Sequence, residues 1–174
     1  MAAADLNTIR ATIEQLLADE FNSLFNAIPS LDAIVSLDDP NDPGLAIVYP
    51  VVFNNVPYAP TPNSTWIQCQ LNFSNNNYLT MGGTTGVSNS IIGIILVNIF
   101  TPKGAGAGAN FAIGKRVRDV YNRSTVSGVI FDAASGPEVM SAGVIETGAS
   151  AGSGLTIAYF QTQVRLTFET FEDL

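Results

Sequence analysis

Residues Ile91–Phe100 read IIGIILVNIF, apolar on both alternating faces, and few folds accommodate such a run. Successive side chains of a strand point to opposite sides, so a strand with one wet face alternates polar and apolar residues. One that is apolar on both sides belongs in the middle of a sheet. Its most hydrophobic part, Ile91–Val97, is far too short to cross a bilayer, which takes about 20 apolar residues as a helix. The run reads as a central strand, and no membrane association is expected.

Two other segments alternate strictly. From Trp66, one face carries Ile67, Cys69, Leu71 and Phe73 and the other Gln68, Gln70 and Asn72. Within Leu155–Phe171, Phe160, Thr162, Val164, Leu166 and Phe168 oppose Gln161, Gln163, Arg165, Thr167 and Glu169. Both patterns predict half-buried strands. Short strands are expected at Val129–Phe131 and Glu138–Glu146, and a short apolar piece lies at Leu45–Phe53. Helical spacing appears twice. Leu6, Ile9, Ile13, Leu16, Leu17, Phe21, Leu24, Phe25 and Ile28 recur every three or four residues, with Asp5 as N-cap and Pro29 as the end. A second helix, Ala109–Asn122, should bury Ala109, Ile113, Val117, Val120 and Tyr121 and turn Lys115, Arg118 and Asn122 outward. The expected class is α+β: a mostly antiparallel sheet with an N-terminal helix and a central helix packed on one face. At 174 residues and 47% hydrophobic, the chain suits one domain over 1–174. Flexible loops are expected near 30–64, 74–90 and 147–154, and no repeat is visible.

The stretch FTPKGAGAGANFAIGKRVRDVYN, Phe100–Asn122, raises the question of phosphate binding. A P-loop needs four residues between its glycine and the Gly-Lys pair, then Ser or Thr for magnesium. Here five residues separate Gly108 from Gly114, and Arg116 stands where the hydroxyl should be. The Gly114-Lys115 pair also falls inside the helical stripe, where its amides are already bonded. Gly104, Gly106 and Ala109 match G-x-G-x-x-A, but no parallel strand ending in an acid follows. The small residues instead let a strand turn sharply into a helix.

Catalytic equipment is sparse. The chain has no histidine, which removes the commonest general base and imidazole-based metal sites. Cys69 is the single cysteine, so it has no disulfide partner and no thiol–imidazole pair, and it reads as a core thiol. The acidic DDPNDPG misses the calcium-loop spacing and reads as a solvated turn. The expectation is a non-enzyme with no catalytic residues, cofactor or metal. The N-terminus lacks the pattern of a signal peptide, so a soluble protein, intracellular where it is made, is expected.

Charge is low, 13% of residues, and separated by sign. Residues 1–42 hold eight acids against Arg10, whereas Lys103, Lys115, Arg116, Arg118 and Arg123 are five of seven bases. An acidic region and a basic helix could meet head to tail between subunits; two solvated helix faces explain the separation as well. Arg116 and Arg123, seven apart on the expected helix, sit beside its apolar stripe. With Lys115 and Arg118 they form the candidate subunit interface, and the acid-rich first 42 residues are the natural partner. The alternative is that both arginines pair within their own subunit or stay in water.

Four segments, in order, resemble tail terminator (tail-completion) proteins of long-tailed bacteriophages. They are the helix IRATIEQLLADEF, the segment FNNVPYAPTPNSTWIQCQLNF, the strand–turn–helix GIILVNIFTPKGAGAGANFAIGKRVRDVYN and the terminal strand IAYFQTQVRLTFETF. The chain departs from that pattern in asparagine-rich insertions near 30–45 and 74–90. The resemblance implies a homo-oligomeric ring, commonly a hexamer, that caps the tail tube, stops its polymerisation and joins the neck or head connector. It implies partners in the tail tube protein and the connector, and DNA passing through the bore without specific binding. The setting would be the virion, after assembly in the cytoplasm of the bacterial host. A connector or tube subunit is the nearest alternative reading, and a nucleotide-binding enzyme the distant one.

Overall fold

The computed structural model describes residues 5–21, 49–54, 56–58, 64–78, 88–104, 107–141 and 159–173. Among these residues there are two helices, α1 (Leu6–Phe21) and α2 (Gly108–Tyr121). The strands are β1 (Val51–Val52), β2 (Trp66–Tyr78), β3 (Ser88–Pro102), β4 (Thr125–Val126), β5 (Val129–Phe131), β6 (Ser135–Ser141) and β7 (Tyr159–Asp173). They form one seven-stranded sheet in the order β1-β2-β3-β7-β5-β4, with β6 also paired to β7. Every pairing is antiparallel except that of β1 with β2. The α+β expectation holds, and the doubly apolar run lies in the centre, between β2 and β7.

The register shows why one face attracts the helices. Ile67 pairs with Ile99, Cys69 with Val97 and Leu71 with Ile95. On the other side of β3, Val97 meets Val164 and Ile95 meets Leu166. Ile9, Ile13, Leu17 and Phe21 of α1 and Ile113, Val117 and Tyr121 of α2 join these residues in one buried cluster. Burying each Ile, Val or Leu fully is worth about 1.5–3 kcal/mol relative to leaving it in water. The helices also bind each other: the buried Tyr121 hydroxyl donates to the Ile13 carbonyl at 2.8 Å. Asp5 caps α1 by accepting from the Thr8 amide at 2.8 Å, and this bond holds its carboxyl below the usual range.

Several expectations are corrected. The strands replace part of the loop expected near 74–90: β2 continues to Tyr78 through a bulge between Phe73 and Asn75, and β3 starts at Ser88. The asparagines there have weak strand propensity, but pairing with β3 overrides it. α1 is described only to Phe21, so Leu24, Phe25, Ile28 and Pro29 lie outside the described residues, as do 30–48 and 147–154. Leu6 is 49% exposed and leaves the buried stripe. β6 begins at Ser135, before the expected Glu138.

Two glycines permit close approaches that a side chain would block. At Gly93 an added Cβ would lie 2.3 Å from the Phe168 ring, so that ring rests directly on the β3 backbone. At Gly114 it would lie 2.7 Å from the Pro137 Cβ, which brings α2 hard against β6. Gly114 thus sits inside the helix against a strand, while its neighbour Lys115 points outward.

Candidate assembly surface

α2 carries most of the basic candidates, and its anchorage begins at Asn110. This side chain is fully buried and donates to the Ile99 carbonyl at 3.3 Å, the Thr101 hydroxyl at 3.1 Å and the Phe160 carbonyl at 3.1 Å. It accepts a bond from the Thr162 hydroxyl. One amide thus ties α2 to both β3 and β7. Periodicity did not mark it, because an asparagine on a helix reads as a surface residue until a partner set is known.

The four candidate residues separate into different roles. Lys115 is exposed and pairs with Asp119 of its own helix at 2.5 Å. Arg116 forms an ion pair with Glu20 of α1, with side chains 34% and 18% exposed. The acid-rich N-terminal region supplies its partner, but from the same chain. Arg118 does not face away: its Nη1 donates to the Gly136 carbonyl at 3.2 Å, fastening α2 to β6. Arg123 lies beyond the helix, which ends at Tyr121; it has φ 54° and its amide donates to the Asp132 carbonyl at 3.3 Å. The shared helical edge inferred for Arg116 and Arg123 therefore does not exist. Burial pushes the Glu20 carboxyl upward, against the opposing pull of Arg116.

The second surface is the sheet face opposite the helices. At one end, Trp66 stacks on Phe100 with centroids 4.0 Å apart, and Tyr159 meets both edge-on at 6.3 Å. Val52 and Tyr58 close this cluster. Next comes a belt of amides. Gln163 and Gln161 donate to the Asn98 Oδ1 at 2.9 and 3.1 Å, and Asn98 donates to the Gln68 Oε1 at 3.4 Å. Beyond the belt, half-buried Leu96, Ile94 and Ile92 of β3 lie beside Arg165, Thr167 and Glu169 of β7. Among the described residues, both helices pack on the other side.

Burial pushes the Cys69 thiol up to about 12, so it stays protonated and unreactive inside the core. Among the described residues, no three or more His, Cys, Asp or Glu side chains group as a metal site. None of the helices described is long and apolar enough to cross a membrane.

No protein-family model matches the sequence, and no curated protein matches it. A solved chain of no stated function is similar in fold. It superposes with a TM-score of 0.53 at 13% identity, covering 95% of this chain and 95% of its own length. At that identity the likeness concerns the fold alone.

Proposed function

We propose that this chain is a ring-forming tail terminator: a structural subunit that caps a phage tail tube, stops its growth and meets the neck or head connector. The observation that carries the reading is where the four resembling segments fall. They supply α1, β2, the β3–turn–α2 unit and β7. Those elements contribute the central strands and both of the described helices, so the resemblance runs through the core and not through one detachable loop. A closed ring needs two unlike patches on each subunit. Arg116 and Arg118 serve internal contacts, so within the basic set Lys115 and Arg123 are the groups placed to reach a neighbour. DNA would pass through the bore without specific binding.

Electron microscopy of the purified protein, alone and mixed with tail tube ends, tests the reading. Closed rings, commonly hexamers, that arrest tube growth are expected. Rings that bind only head connectors would replace it with a connector role, and tubes growing from this chain would make it a tube subunit. A monomer that binds ATP or NAD with micromolar affinity in calorimetry, and loses it in Lys115→Ala, would overturn the structural reading altogether.

A further inference from the structure

The outer face of β3 breaks the rule its neighbours keep. β2 and β7 turn mainly polar residues away from the helices, whereas β3 turns out Ile92, Ile94 and Leu96 in succession. An antiparallel sheet that faces water on one side alternates cleanly, and an apolar outer row asks for cover. Beside this row, β7 places Arg165 opposite Leu96, Thr167 opposite Ile94 and Glu169 opposite Ile92. The base and the acid thus stand two residues either side of Thr167, roughly 7 Å each way.

We propose that this face pairs with the same face of a second copy about a two-fold axis through the Ile94–Thr167 row. An axis lying between the two sheets and across the strands reverses strand direction while keeping each strand over its counterpart. Arg165 then lies over Glu169 of the second copy, and Glu169 over its Arg165. Ile92 lies over the other Leu96, and Ile94 over Ile94. A planar guanidinium facing a carboxylate is a strong, directional pair, and sheets stack face to face about 10 Å apart. The charge spacing suits a copy of this chain, because Arg165 and Glu169 supply both halves of the match. Asp132, which accepts from the Thr167 hydroxyl on the axis row, is the like-charge group that the two arginine–carboxylate pairs must outweigh. The contact is isologous, so it is separate from the unlike patches a ring requires and rests on no part of the ring reading.

Sedimentation equilibrium of the full chain and a charge-swap series test it. The wild type should dimerise. Arg165→Glu and Glu169→Arg should each raise the dissociation constant at least about tenfold, as close charge pairs across an interface do. The double swap, Arg165→Glu with Glu169→Arg, should restore it, with circular dichroism confirming the fold of each variant. Ile94→Cys, on the axis, should cross-link to itself under copper–phenanthroline, while Gln163→Cys, off the axis, should not. Swap-insensitive assembly, or a double swap that fails to restore dimers, would overturn the proposal even if rings form. A monomer whose Ile94→Cys alkylates rapidly would assign the face to another partner; one that alkylates slowly would assign it to cover by the chain itself. Either result overturns the two-fold contact.

Discussion

Replacing Asn110 by leucine tests whether the buried amide is what fastens α2 to the sheet. The change keeps the approximate shape but removes all three donations, to Ile99, Thr101 and Phe160, and strands the Thr162 hydroxyl. Thr162 is fully buried, so its O–H loses a partner with no water to replace it. An unsatisfied buried group costs about 1–3 kcal/mol, and each lost neutral bond about 1 kcal/mol, less where the carbonyl keeps a ladder partner. The expected loss is about 2–4 kcal/mol, a large part of the 5–15 kcal/mol typical of a domain. Urea unfolding followed by far-ultraviolet circular dichroism, at one protein concentration, measures it. Adding Thr162→Val removes the stranded hydroxyl, so Asn110→Leu with Thr162→Val should recover 1 kcal/mol or more, to order of magnitude. Wild-type stability in the single variant, or no recovery in the double, would refute the network as the anchor.

Further outcomes follow from other contacts. Gly114→Val should lose about 1–3 kcal/mol by driving a side chain into Pro137; an unchanged urea midpoint would show that β6 yields freely. Arg116→Glu should destabilise the folded subunit by about 1 kcal/mol or less, given the pair's exposure, and Glu20→Arg added to it should restore the loss. Failure of the swap would show that the pair carries no stability. The Cys69 thiol should resist Ellman's reagent until the chain unfolds. Its folded value near 12 exceeds the ordinary 9.0, so the unfolded thiol ionises first. Its contribution is therefore complete below about pH 9 and is lost as pH rises toward 12, by at most about 1.4 kcal/mol per unit. The stability difference between wild type and Cys69→Val should fall across that window, and a constant difference would contradict the burial argument.

Sequence periodicity determined which side of each long element is buried, and it placed Ile91–Phe100 at the sheet centre. It located Ile113, Val117 and Tyr121 in the core and the Gly-Lys pair within the helix. These are local properties: a 3.6- or two-residue period reports burial without naming the partner. Only the tertiary structure decided which groups meet. It paired Arg116 with Glu20, turned Arg118 onto β6, ended the helix before Arg123 and buried Asn110 among β3 and β7. It also set Phe168 on Gly93 and carried the β2–β3 pairing through an asparagine-rich stretch. Each of these depends on atoms brought from distant parts of the chain. A charge or an amide takes its role from the partner the fold delivers, and that partner is invisible in the residue's own neighbourhood.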